Sequence, residues 1–133
     1  MSDYILTFDG GSRGNPGVGY GSYVLVGTED GERSVKRLRF GTTTNNQAEY
    51  MALIAGLSGL AETIREAGGK TQVTSVEIRG DSQLVINQVA RDWKVKSLDL
   101  MELRDQVDDL LSQFGSFRLS WHRRGKSEDT LGH

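Results

Sequence analysis

The chain has 133 residues, with 16 Lys and Arg against 18 Asp and Glu and no cysteine. That length suits one domain with a real core, and the lack of cysteine excludes disulfides, thiolate metal sites and a cysteine nucleophile. A formal net charge of −2 gives no global attraction to nucleic acid, so any such binding must come from local patches.

The N-terminus, Met1-Ser2-Asp3-Tyr4, lacks the basic and apolar regions of a signal peptide. No stretch approaches the apolar length of a membrane span. A cytoplasmic protein with no membrane partner is expected.

Residues 4–9 predict a strand that is apolar on both faces, with Tyr4, Leu6 and Phe8 on one side and Ile5 and Thr7 on the other, as in a central strand. Asp9 closes it. Gly10-Gly11-Ser12-Arg13-Gly14-Asn15-Pro16-Gly17 then predicts a loop, dense in glycine and holding the single proline. Residues 19–26 alternate as a second strand, Thr28-Glu29-Asp30-Gly31 is a hairpin turn, and residues 32–40 form a third strand with Lys36, Arg37 and Arg39 on its polar side.

Thr42-Thr43-Thr44-Asn45-Asn46-Gln47-Ala48-Glu49-Tyr50 opens the longest helical pattern, predicted over 46–67 and stopped by Gly68-Gly69. Asn45 or Asn46 can cap it, because a short side-chain oxygen accepts first-turn N–H groups. Tyr50, Leu53, Ile54, Leu57, Leu60, Ala61 and Ile64 recur at helical spacing. A fourth strand is predicted at 73–79, then a short helix around Leu84, Val85, Val89 and Ala90. The polar connector Arg91-Asp92-Trp93-Lys94-Val95-Lys96-Ser97 follows, then a helix over 99–114 and a last strand over 117–121. The order β-β-β-α-β-α-α-β predicts an α/β fold, a five-stranded mixed sheet flanked by helices, in a single domain covering residues 1–133.

Three carboxylates fall at element ends: Asp9 after the first strand, Glu49 near the start of the long helix, and Asp81 after the fourth strand. Ligand sites in α/β sheets gather where strands end and helices begin. Hard oxygen donors of this kind suit Mg²⁺ or Mn²⁺. Each has a plainer reading too: Glu49 as an acidic residue favoured by the helix dipole, Asp9 and Asp81 as turn or cap residues.

The segments Asp9 to Gly17, Thr43-Thr44-Asn45-Asn46-Gln47-Ala48-Glu49 and Asp81-Ser82-Gln83 together resemble the three signature segments of type 1 ribonuclease H, in order and in approximate spacing. The resemblance covers nearly the whole chain. It implies the ribonuclease H-like fold and an endonuclease that cuts the RNA strand of an RNA–DNA hybrid, leaving 5′-phosphate and 3′-hydroxyl ends. By similarity, Asp9, Glu49 and Asp81 would hold two Mg²⁺ or Mn²⁺ ions during catalysis. Gly10, Gly11 and Ser12 would let the backbone approach RNA closely. Asn15, Asn45 and Gln83 would read 2′-hydroxyls and minor-groove base edges. Thr44 resembles a position that holds a DNA-strand phosphate. Lys94 and Lys96, beside Trp93, stand where some relatives carry a longer basic protrusion; a solvated loop with Trp93 packed on the core is the other reading. Arg118, Arg123, Arg124 and Lys126 make a second basic cluster. A monomer is expected.

The pattern departs from the family after the last strand. A fourth metal-site carboxylate is usual there, and the Asp129-Thr130-Leu131 element arrives two residues early, leaving Leu131 at the usual position. Asp129 and His133 are both candidates for the fourth member, and the usual C-terminal helix is shortened or absent. His122 does not match the position of the product-release histidine of some relatives, which favours a structural role. A hybrid-binding module with weakened or lost cleavage is the alternative function. A two-lobed phosphotransferase of the sugar-kinase and actin type, whose phosphate loop also begins Asp-Gly-Gly, needs a longer chain.

Overall fold

The computed structural model describes residues 1–123. β1 (Tyr4–Gly14), β2 (Gly17–Gly27) and β3 (Arg33–Thr43) form an antiparallel meander. α1 (Asn45–Glu66) leads through a 3₁₀ turn at Thr71–Val73 to β4 (Ser75–Gly80). α2 (Gln83–Val89), α3 (Leu98–Leu111) and β5 (Ser116–Trp121) complete the described chain. The sheet order is β3-β2-β1-β4-β5, with β4 parallel to both β1 and β5. β1 is thus the central strand, as its apolar character on both faces predicts. The mixed sheet and the element order also agree with the sequence.

α1 lies across β1 and β2 and packs against α3. Its inner side buries Tyr50, Leu53, Leu57, Leu60, Ala61 and Ile64 against Leu6, Phe8, Tyr23 and Leu25 of the sheet and Val107 and Leu111 of α3. Burying each such large apolar side chain stabilises the fold by roughly 1.5–3 kcal/mol before ordering costs. Ile54 is only partly buried, at the margin of this stripe. Tyr50 is fully buried, and its hydroxyl donates to Gln88 Oε1 of α2 at 2.7 Å. Burial pushes the Tyr50 pKa up to about 12, so the proton stays in place to make that bond.

Two local expectations are corrected. The glycine-rich run from Gly10 to Gly14 is not a loop but the continuation of β1, paired residue by residue with β2 from Gly10↔Gly21 to Gly14↔Gly17. Ladder bonds to β2 satisfy its backbone, so glycine's low strand propensity does not decide the outcome. The hairpin turns at Asn15-Pro16, through a cis peptide bond. The second correction is the cap of α1. Thr44, not Asn45 or Asn46, is the N-cap: its hydroxyl accepts from the Gln47 N–H at 3.2 Å, while Gln47 Oε1 accepts from the Thr44 N–H at 2.8 Å. This reciprocal box needs a long polar side chain three residues on, which Gln47 supplies. Ala48 cannot do so for Asn45, and Glu49, the corresponding partner for Asn46, is buried.

The predicted fourth strand also begins late. Val73 is 78% exposed and closes the 3₁₀ turn, and the strand starts at Ser75.

Because the box ties down two first-turn N–H groups, Thr44→Ala should lower the free energy of unfolding by about 1 kcal/mol. Urea unfolding followed by circular dichroism measures this; an unchanged midpoint would show that the box contributes nothing.

Candidate active site

β1 and β4 run side by side from Tyr4↔Val76 to Phe8↔Gly80, and there they part. β4 ends at Gly80, whereas β1 continues to Gly14 with β2 alone. Asp9 and Asp81 are the next residues on the two strands, so both stand at the mouth of the gap. Gly80 lets Phe8 lie directly beside it: a Cβ there would be 2.5 Å from the Phe8 ring.

The backbone of Glu49 comes close to β1 next to Asp9. A Cβ on Gly10 would sit 2.4 Å from the Ala48 carbonyl oxygen and 2.8 Å from the Glu49 Cα. The N-terminal part of α1 therefore rests on the Gly10 backbone at a distance that no other residue permits. Glu49 shares its buried face with Ala52, Leu53 and Gly56, as the helical spacing predicts. It lies beyond the first turn of α1, which holds no acidic residue. The helix-dipole reading of Glu49 loses its force there, because the effect fades past that turn.

Asp9 is 9% exposed and Glu49 8%, while Asp81 is half-buried. Among the described residues, no three acidic or imidazole side chains already converge as ligands around one point. The fit to a cation therefore rests on donor chemistry and backbone placement. Three carboxylates offer hard oxygen donors, and they belong to segments that adjoin where β1 and β4 part. This donor set fits a hard divalent cation.

The surrounding groups are braced. Trp121 Nε1 donates to the Asp81 carbonyl at 2.9 Å, and the His122 N–H donates to the Gly80 carbonyl at 3.1 Å, so the end of β5 holds the Gly80-Asp81 turn. Sequence reasoning passed over Trp121; the available signal was its place at the end of a strand aligned with β4, where Gly80↔Trp121 is the last pair. Ser82 caps α2 by accepting from the Val85 N–H. Asn15 Oδ1 accepts from the Asn45 N–H at 3.0 Å and joins the β1–β2 turn to the start of α1. The Asn45 side chain lies beside Gly11, whose Cβ would be 3.3 Å from its Oδ1. Ser12 spends its hydroxyl on the Gly14 carbonyl.

The connector departs from the reading that packs Trp93 on the core. Trp93 is 46% exposed, not packed on the core, and Val95 is the buried anchor. Gln88 Nε2 donates to the Lys94 carbonyl at 3.2 Å. Lys94 and Lys96 are exposed. Gln83, the first residue of α2, is exposed as well. Asp129, His133, Arg124 and Lys126 lie outside the described residues, as does the expectation about a C-terminal helix. No described helix is long and apolar enough to cross a membrane.

Comparison with known proteins agrees with the fold. A family described as "Reverse transcriptase-like" matches residues 7–128. The ribonuclease HI of Halobacterium salinarum is 38% identical over 121 residues, which are 91% of this chain and 57% of that protein. The crystal structure of RNase H1 from Halobacterium salinarum superposes with a TM-score of 0.84 at 37% identity, covering 96% of this chain and 92% of the other. A bifunctional protein of Mycobacterium tuberculosis is 37% identical over 124 residues, 92% of this chain. The chain spans 32% of that relative's length. The RNase H1 called LC11, solved in complex with an RNA/DNA hybrid, superposes with a TM-score of 0.83 at 30% identity, covering 96% of this chain and 92% of the other.

The Gly10 contact yields a contrast between neighbours. Gly10→Ala meets rigid backbone and should cost about 1–3 kcal/mol, as overpacking does. Gly11→Ala meets mainly the Tyr20 hydroxyl end, at 2.6 Å, which can swing away, so its cost should be smaller. Urea unfolding of the two variants side by side checks the order; equal costs would contradict the close docking of α1.

Proposed function

The chain belongs to the type 1 ribonuclease H family, and from that premise we propose that it is an endonuclease that hydrolyses the RNA strand of RNA–DNA hybrids. The observation that supports the reading is that Asp9 and Asp81 follow the last β1–β4 pair while the Glu49 backbone lies against Gly10. These three carboxylates would hold the divalent ions, with Asp129 or His133 as the fourth member. When bound, two Mg²⁺ or Mn²⁺ ions supply an activated water and stabilise the leaving 3′ oxygen of an in-line displacement, which leaves 5′-phosphate and 3′-hydroxyl ends.

The chain's own groups position the substrate. Past Phe8, β1 pairs with β2 alone, so the backbone of Gly10 and Gly11 has an edge that β4 does not cover, and a ribose would come close there. Asn15 has its carbonyl oxygen committed to Asn45, but its amide N–H groups remain to donate. Asn45 and Gln83 offer both donor and acceptor, which is what reading a 2′-hydroxyl requires. Thr44 accepts from Gln47 and keeps its own O–H free to donate to a DNA-strand phosphate. Lys94 and Lys96 would meet phosphates from the connector. The enzyme acts as a monomer in the cytoplasm.

Asp9→Asn tests the assignment. Turnover should fall roughly a thousandfold, the rate equivalent of about 4 kcal/mol of transition-state stabilisation. Hybrid binding should change little, and the folded state should hold or gain slightly because one of three mutually repelling charges is gone. Cleavage of a labelled hybrid in Mg²⁺ and in Mn²⁺, with anisotropy for binding, gives both readouts. Near-parental cleavage by Asp9→Asn would overturn the assignment. A parent that binds hybrid but cleaves it in neither metal would be a binding module.

A further inference from the structure

The outer half of the sheet carries a feature that the carboxylates do not use. Side chains two residues apart on a strand share a face, and paired residues on neighbouring strands share it too. The pairings Asp9↔Ser22 and Ser22↔Arg37 therefore make one rung across β1, β2 and β3, and Gly11↔Tyr20 with Tyr20↔Arg39 make the next. Arg13, two residues beyond Gly11, continues the same face. Asp9, Arg13, Arg37 and Arg39 all line one cleft of about 470 Å³.

All three arginines are exposed, and among the described residues none of their side chains makes a hydrogen bond or ion pair. Asp9 is the single acidic residue lining the cleft. The acidic residues nearest along the chain, Glu29, Asp30 and Glu32, lie at the opposite end of β3. A chain with net charge −2 thus concentrates three guanidinium groups beside one catalytic carboxylate. Arg37 and Arg39 are spaced roughly 6.8 Å along their strand, close to the separation of successive phosphates in one nucleic-acid strand. The guanidinium fork matches phosphate oxygens two at a time.

We propose that Arg13, Arg37 and Arg39 form an accessory track for the RNA strand as it leaves the cut position, gripping phosphates on one side of the scissile bond. The proposal rests on the reading of the carboxylate site as a hybrid nuclease. The cut phosphate must reach Asp9, and Asp9 stands at one end of the track, so the strand that continues over the arginines is the cut strand. Its position on β1 and β3 is separate from the Lys94 and Lys96 connector, which precedes α3.

The test compares the parent chain with Arg37→Gln/Arg39→Gln and Arg37→Lys/Arg39→Lys. Binding of a fluorescent RNA–DNA hybrid is followed by anisotropy in chelator, over a range of salt, and KM and kcat are measured with Mg²⁺. The glutamine pair should lose affinity on the order of tenfold and flatten the log-log salt slope by about 1.5 to 2, because two phosphate contacts are gone. KM should rise in step while kcat at saturation holds. The lysine pair should keep most of the slope. Trimming the RNA strand on one side of the cut should erase the difference between parent and glutamine pair, and trimming the DNA strand should not.

An unchanged slope and KM in the glutamine pair, with the parent cleaving normally, would overturn the track and leave the nuclease reading standing. Loss that follows trimming of the DNA strand would overturn the assignment to RNA. A parent that does not cleave, yet binds single-stranded RNA with the same arginine dependence, would support the track and refute the nuclease reading. Circular dichroism confirms that the exposed edge-strand variants fold.

Discussion

The contact between the start of α1 and the Gly10 backbone is the constraint on which the site depends. Glu49 is on a helix and Asp9 on a strand, and only a very close helix–sheet approach brings a residue from the second turn of α1 level with the end of the β1–β4 pair. The 2.4 Å between a notional Gly10 Cβ and the Ala48 carbonyl oxygen measures that approach. It also explains why the buried face of α1 near this point is built from Ala48 and Ala52. The capping box at Thr44 and the Asn15–Asn45 bond then fix where the helix begins. On the other side, Trp121 and the His122 backbone hold the Gly80-Asp81 turn. Backbone contacts at three points thus set where the segments that carry Asp9, Glu49 and Asp81 lie.

Much of this was legible in the residues, for reasons that differ by element. Helical periodicity announced the stripe from Tyr50 to Ile64, and the apolar character of 4–9 on both faces announced a central strand. Glycine misled: Gly10 to Gly14 has the composition of a loop and the structure of a strand, because its pairing with β2 is a long-range property that local composition does not carry. The cap was misplaced for a related reason. Several polar residues in a row at 42–46 can all cap, and the choice was made by Gln47 reaching back while Glu49 turned inward. Rows of side chains across β1, β2 and β3 were invisible for want of register; the bulge between Val18 and Tyr20 shifts the pairing, so Arg39 falls opposite Tyr20 only once that shift is known.

Charge in this molecule works locally. Acidic side chains outnumber basic ones by two, yet the surface beside Asp9 is lined by three arginines. On the proposed reading, a polyanion would be drawn to this surface, with divalent ions offsetting the carboxylates. That arrangement would make binding sensitive to salt and metal together, and would make the chemistry depend on which strand lies over the gap between β1 and β4.

The central claim is that this gap cuts RNA only when it is paired with DNA. It is tested most directly by incubating the chain with Mg²⁺ or Mn²⁺ and three end-labelled duplexes of one sequence: RNA–DNA, RNA–RNA and DNA–DNA. The account predicts cleavage of the RNA strand of the hybrid alone, with 3′-hydroxyl ends that a polymerase can extend. Equal cutting of the RNA–RNA duplex, or no cutting of the hybrid in either metal, would contradict it.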